Sequence, residues 1–493
     1  MSPQIATEPR KTKTIAHKPT RAHNGRAHDG HEHLSPGERV ARGKAARNET
    51  PRANHAHWSR PAGRREPAEL LEEQAKSRVS ELVPIRHGRM LVSPFTFYRG
   101  AAYIMAADLA STPTSGLRVQ LCGDAHLSNF GGYASPERRM VFDVNDFDET
   151  APGPWEWDVK RLAASFEVLG RYRGFSEGDR RRAILAAVES YREAMLRFAE
   201  MRDLDVWYAH MDIQELVLEL ERQSKNKLAK GLERNIAKAQ TKNSLKAFAK
   251  LTHLVDGQPR ILADPPLVVP IADLMPPDKA QTAARTIRGN LQKYSMTLSE
   301  DHRALFEHFR YQDLARKVVG VGSVGTRAWI VLMLGRDDRD PLFLQVKEAE
   351  KSVLEPFAGK SVYPNHGERV VEGQRLMQSV SDIFLGWLRA TGIDGVKRDF
   401  YVRQLWDQKA SADTEAITIK GVVPYARMCG STLARAHART GDRIAIAAYL
   451  GMGSTFDKAI ADFSGAYADQ NQADYDSFRA AVKSGRLQAK RGL

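Results

Sequence analysis

Residues 119–164 read VQLCGDAHLSNFGGYASPERRMVFDVNDFDETAPGPWEWDVKRLAA, and the reading of this stretch sets that of the whole chain. Two short apolar runs, residues 118–122 and 139–144, have the composition and length of strands. The first leads into Gly123, Asp124, His126 and Asn129, the second into Asp143, Asn145, Asp146 and Asp148. Asp and Asn are common turn formers. Two strands that both end in them, at fixed spacing, suit a buried hairpin that presents oxygen ligands at its ends. Carboxylate and carbonyl oxygens are the donors Mg²⁺ prefers, alongside waters and substrate phosphates.

Asp124 precedes Asn129 by five residues. This resembles the protein-kinase catalytic loop, where an Asp and a metal-binding Asn are spaced alike and a second metal-binding Asp follows. GDAHLSNF is similar to the GDxHxxN signature of the aminoglycoside and choline kinases, and NDFDETAPGPWEWD resembles the segment that follows it there. Cys122 departs from the pattern, since small-molecule kinases often carry His at that place. The chain as a whole resembles the bacterial family DUF2252, a domain of unknown function related to kinase-like folds. The resemblance implies a phosphotransferase in which Asp124 is the base and Asn129 and Asp146 hold Mg²⁺. Asp143, Asp148 and His126 are second choices.

At 493 residues the chain is long enough for two or three lobes with sizeable cores. A hydrophobic fraction of 42% with 27% charged residues is that of a globular protein. No apolar run has the length of a membrane span and no signal-peptide pattern is present, so a cytoplasmic protein is expected. Two cysteines, Cys122 and Cys429, do not make a disulfide framework. The net charge is +14, and residues 1–65 carry 14 Lys/Arg against 5 Asp/Glu. That segment has almost no large apolar residues and is expected to be a disordered basic tail. Its seven histidines are irregularly spaced, which favours a solvated tail over a metal tract. Such a tail suits weak, non-specific contact with nucleic acid or an anionic surface.

Helices are expected over 67–82, 93–110, 159–171, 177–203 and 212–228, with Arg99 a candidate phosphate contact on the second. Residues 225–251 are Lys-rich, including Lys225, Lys242, Lys246 and Lys250. They read as a solvated helix face, or as a surface that steers acidic partners. A short hairpin over 260–271 and further helix over 279–309 follow.

Residues 317–334 read KVVGVGSVGTRAWIVLML and contain Gly320, Gly322 and Gly325. A dinucleotide fold needs a helix after such glycines, whereas a β-rich run follows here. A glycine loop between two strands is the kinase arrangement for covering phosphates. Residues 341–347 form a strand ending in Lys347, the candidate for the α/β-phosphates. A helix over 366–389 follows, with Glu372 as the expected partner of Lys347 and Glu368 as fallback. Residues 401–405 read as a strand, 405–409 as a hinge, and 424–439 and 442–483 as helices.

These parts define an expected α+β, two-lobed, protein-kinase-like fold with a small antiparallel sheet lobe and a larger helical lobe. The glycine loop, Lys347 and the helix come after Asp124 and Asp146, so the expected fold is circularly permuted. Its boundaries are 1–65 (tail), 66–315 (helical lobe with the metal-binding hairpin), 316–410 (nucleotide-clamping sheet) and 411–493 (helices completing the larger lobe). The expected activity is ATP–Mg²⁺-dependent transfer of the γ-phosphoryl group to a hydroxyl acceptor. AMP transfer on the same fold, or a non-catalytic nucleotide-binding scaffold with a nucleic-acid-binding tail, are the alternatives.

Overall fold

Apolar runs punctuated by Gly, Asp and Asn fold the central stretch into strands. The computed structural model describes residues 34–492 apart from 223–225, 242, 319, 393, 406 and 407. The central stretch forms β1 (Arg118–Leu121), β2 (Phe130–Ala134), β3 (Met140–Val144) and β4 (Ala151–Pro154). β1 pairs with β4 and β2 with β3, both antiparallel. Every residue of β2 and β3 is buried, so the hairpin is interior on both faces. The short β5 (Met211–Asp212) extends it beside β3.

Further on, β6 (Thr252–Val255) and β7 (Gln258–Ile261) make a hairpin. Its turn residues Asp256 and Gly257 have φ of 50° and 71°, as a two-residue Asp-Gly hairpin turn requires. A six-stranded antiparallel sheet is built from β8 (Val268–Pro270), β9 (Arg310–Lys317), β10 (Ala328–Leu334), β11 (Pro341–Ala349), β12 (Gly386–Thr391) and β13 (Lys397–Gln404). Its order is β12-β13-β11-β10-β9-β8. Side chains alternate between its faces. Leu314, Val331, Met333, Leu344 and Val402 meet Leu291 and Tyr294 of helix Pro277–Ser295. Ala315, Ile330, Leu332 and Phe343 meet Ala247 of helix Ser244–Leu251. The last strand, β14 (Ala410–Ser411), returns to β2 and gives the order β14-β2-β3-β5.

The chain is thus α+β with antiparallel sheets. Helix Trp155–Tyr172 lies at the centre of the helical part and is buried continuously from Trp155 to Gly170. A helix buried all round is a core helix. Trp155 stacks on Tyr191 of helix Glu177–Glu200, with centroids 5.6 Å apart, and packs against Phe456 of helix Thr455–Lys483.

Several expectations are corrected. The helix expected over 366–389 is His366–Met377. Residues 386–391 instead alternate buried and exposed along β12, the period of a strand. The expected helices over 67–82 and 93–110 are each broken into shorter segments. Residues 34–65, expected as part of a disordered tail, are structured. Pro36–Glu49 is a helix with a Ser35–Glu38 capping box, and its Gly43 sits where a Cβ would lie 2.1 Å from the Ala445 carbonyl oxygen. His55 is fully buried against the Tyr449 hydroxyl, 2.7 Å away. Arg64 bridges Asp108 and Asp474 at 2.6 Å each. The segment is held by glycine contact and buried polar pairs rather than by apolar bulk, which is why its composition reads as a tail. Residues 1–33, with five of the seven tail histidines, lie outside the described residues, as do Lys225, Lys242 and residues 406 and 407 of the expected hinge.

Candidate functional site

The site begins where β1 ends. Gly123 has φ of 85°, and a Cβ there would lie 2.2 Å from the Glu149 carbonyl oxygen, so only glycine makes this turn. The carboxylate of Asp158, on the buried helix, accepts the Cys122 and Gly123 N–H groups at 2.8 and 3.1 Å. The next residue, Asp124, reaches the cleft. Its Oδ1 accepts Arg161 Nε and Nη2 at 2.9 and 2.6 Å, and its Oδ2 lies 3.7 Å from His126 Nε2. Burial raises the Asp124 pKa, and Arg161 opposes that rise. Burial lowers that of His126, with Arg99 adding to it, so the ring is neutral. Asn129 donates its Nδ2 to the Asp124 carbonyl at 2.9 Å. That leaves its Oδ1 as the atom suited to a cation.

β1 and β3, the two runs expected to form one hairpin, lie in different sheets, β1 beside β4 and β3 beside β2, and the acids in and after β3 divide by role. Asp143 is fully buried, and Arg435 and the Ser379 N–H and hydroxyl bind it at 2.6, 2.8 and 2.8 Å. It is structural. Asp146 faces the cleft, and burial, then the charge of Asp148, raise its pKa. Asp148 pairs with Lys347 Nζ and accepts the Tyr401 hydroxyl at 2.7 Å and the Ser323 hydroxyl at 3.1 Å. Burial works against its ionisation, yet Lys347 and Tyr401 hold its pKa below the usual carboxylate range.

Lys347 stands on β11, the strand between β10 and β13, opposite Ala328 and Tyr401. It is 3% exposed. Burial disfavours its charge, but Asp148, Tyr401 and Asp146 raise its pKa overall. The carboxylate that pairs with Lys347 is Asp148, two residues beyond Asp146. Glu372 does not reach it. Glu372 pairs with Arg375 one turn along its own helix, at 2.9 Å. With Asp148 already on the ammonium, that glutamate has no charge to answer. The same helix contributes Arg369 instead, which is 2% exposed and donates to the carbonyls of Thr150, Asp148 and Glu350 at 2.6, 2.8 and 2.9 Å.

Gly320, Gly322 and Gly325 lie in the connection between β9 and β10, and strand rather than helix follows them. Gly325, with φ of 93°, gives its carbonyl to the Val79 N–H at 2.8 Å. Gly320 and Gly322 line a cavity of about 620 Å³ together with Asp124, Asn129, Asp146 and Lys347. This is the size range of small-molecule sites. Lys246, Lys250 and Lys317 line it too, so part of the Lys-rich segment faces the cleft. Among the described residues no group of three or more His, Cys, Asp or Glu side chains is placed to hold a metal alone. Mg²⁺ bound through one or two protein oxygens plus substrate phosphates needs no such group, and Asn129 with Asp146 fits that donor set.

Sequence reasoning missed Arg161, Asp158, Arg369 and Tyr401. A signal existed for the first two. Residues 155–164 set Glu156, Asp158, Lys160 and Arg161 among Trp155, Trp157, Val159 and Leu162, and charges in a core helix have partners.

No helix among the described residues is long and apolar enough to cross a membrane. No curated protein and no solved structure matches the chain. A family model described as an uncharacterized protein conserved in bacteria, DUF2252, matches residues 78–481, and the chain belongs to that family.

Proposed function

We propose that this member of the DUF2252 family is an ATP–Mg²⁺-dependent phosphotransferase with a circularly permuted, two-lobed, kinase-like fold. One observation carries the reading: the Lys347–Asp148 ion pair. It joins segments 199 residues apart at a cavity that Asp124, Asn129, Asp146 and the glycine loop also line. A glycine loop between two strands, a Lys on the next strand and a helix after it are the kinase clamp for a triphosphate. Here the clamp follows the catalytic segment in the chain, and catalytic roles depend on geometry rather than chain order.

In this reading Lys347 binds the α/β-phosphates, and Asp148 holds it where a helix-borne glutamate does so in kinases. Asn129 and Asp146 are the residues that hold Mg²⁺, whose charge neutralises phosphate oxygens. Arg161 aims Asp124. The acceptor hydroxyl passes its proton to Asp124 as its oxygen forms the new bond to the γ-phosphorus, and ADP leaves with the electrons of the broken P–O bond.

Thermal melting with ATP, with and without Mg²⁺, tests the binding half of this. The melting temperature rises with ATP and rises further with Mg²⁺, because a ligand of the native state stabilises it. Asp146→Ala abolishes the Mg²⁺ increment and Lys347→Met most of the ATP response. No response from the unaltered chain sinks the proposal.

A further inference from the structure

The cleft holds more positive charge than one nucleotide needs. Ten Lys and Arg side chains line it against the four carboxylates of Asp124, Asp146, Asp148 and Glu149. A triphosphate that brings its own Mg²⁺ neutralises only part of this excess. Three of these cations, Arg78, Arg86 and Arg99, come from residues 78–99, outside the strands and helix of the triphosphate clamp.

Arg86, on helix Val83–Met90, is 1% exposed. Its Nη2 donates to Gln74 Oε1 and the Gly100 carbonyl at 3.1 and 2.8 Å, while its Nε and Nη1 have no partner among the described residues. Arg99, on helix Pro94–Gly100, is half-buried, and its guanidinium has no hydrogen-bond or ion-pair partner among the described residues. The nearest opposite charges it feels are those of Asp124 and Asp146. Arg78 donates to the Val324 and Gly322 carbonyls of the glycine loop, and its Nε is unpartnered. None of the three has a carboxylate at ion-pairing distance among the described residues. Burial pulls the pKa of all three down, and Arg78 repels Arg86. Buried guanidinium groups with unused donors are unfavourable until an anion joins them, and their planar forks match phosphate oxygens.

We propose that Arg86 and Arg99 form a subsite for a phosphate group on the acceptor, with Arg78 coupling that subsite to the glycine loop. This rests on the phosphoryl-transfer reading and makes the acceptor a phosphorylated hydroxyl compound. Its phosphate anchors on Arg86 and Arg99, which line the same cavity as Asp124, with Arg99 within electrostatic reach of that carboxylate, and its hydroxyl meets that base. The competing owner of these donors is the nucleotide's own terminal phosphate.

Calorimetric titration of the full chain with inorganic phosphate at fixed ionic strength separates the two. It is run alone and with Mg²⁺ and a non-hydrolysable ATP analogue at saturation. Phosphate binds in both conditions. Arg99→Gln and Arg86→Met each weaken it about tenfold or more, while the analogue's Kd stays within about threefold. Arg99 is only half-buried, so Arg99→Gln carries the test if Arg86→Met fails to fold. Displacement of phosphate by the analogue, or an equal loss of analogue affinity in Arg99→Gln, overturns the proposal, as does absence of phosphate binding at millimolar concentration. Phosphate binding that needs both arginines, in a chain that binds no analogue, supports the subsite and sinks the nucleotide reading instead.

Discussion

At the scale of single residues, the cleft separates groups that set charge from groups to which the proposed reaction assigns chemistry. Asp124 is held by Arg161 yet lines the cavity. Asp124→Asn keeps the hydrogen-bonding shape and removes the proposed base, so on the phosphotransferase reading turnover falls by about 10²–10⁴ while the nucleotide Kd changes little. Stopped-assay turnover beside calorimetry checks this, and unchanged turnover removes Asp124 as the base. Glu149 makes a different prediction. Burial raises its pKa to about 7, against the Val353 N–H bond to its carboxylate. The native state therefore keeps a proton that the unfolded chain has released, and stability falls as pH rises from about 4 to about 7, then levels off. Glu149→Gln keeps the acceptor for Val353 without that loss. The variant matches the parent near pH 4 and exceeds it at pH 8 by an amount on the order of 2 kcal/mol, read from urea midpoints in EDTA. A parent that stays level between those pH values contradicts it.

At the scale of elements, the helix His366–Met377 and β11 show what patterning revealed and what it hid. The glycine connection between strands and the strand ending in Lys347 followed from β-rich runs around the glycines. The partner of Lys347 did not, because Asp148 and Glu372 are equally plausible carboxylates until the helix is placed. Residues 386–389 continue the apolar content of the helix expected over 366–389, and only the alternation of burial along Gly386–Thr391 marks a strand. The energetic weight on the helix lies in Arg369, whose guanidinium ties the Asp148 and Thr150 carbonyls of the acidic segment to that of Glu350, just past β11. Arg369→Met leaves those carbonyls short of donors and costs about 3–5 kcal/mol. Glu372→Gln, in a half-exposed pair with Arg375, stays within about 0.5 kcal/mol. Chemical denaturation of both variants tests the contrast, and equal effects would mean that Arg369 carries no more of the fold than Glu372.

At the scale of the whole molecule, the two cleft-forming segments are far apart in sequence, and only spacing and residue type suggested that they meet. The Asp124–Asn129 spacing and the glycine loop were legible. Of the arginines facing them only Arg99 was; Arg78 and Arg86 were not, since an arginine in an amphipathic helix looks the same whether it meets solvent or a cavity. The ordered part of the N-terminal segment was hidden because Arg64 acts through buried charge. It joins Asp108 and Asp474, from either end of the chain, and Arg64→Met strands both carboxylates at a cost of about 3–5 kcal/mol. A melting temperature unchanged in that variant would place residues 34–65 outside the cooperative unit.

The central claim is that the γ-phosphoryl group moves from ATP to a hydroxyl under the control of Asp124, Asp146 and Lys347. The direct measurement incubates the chain, Mg²⁺ and a bacterial small-molecule extract with ATP labelled at either the α- or the γ-phosphorus, and separates the products. The account predicts that γ label alone appears on a new compound, that ADP accumulates in step, and that both vanish with Asp124→Asn. Transfer of the α label with release of pyrophosphate, or no label moved from either position, contradicts it.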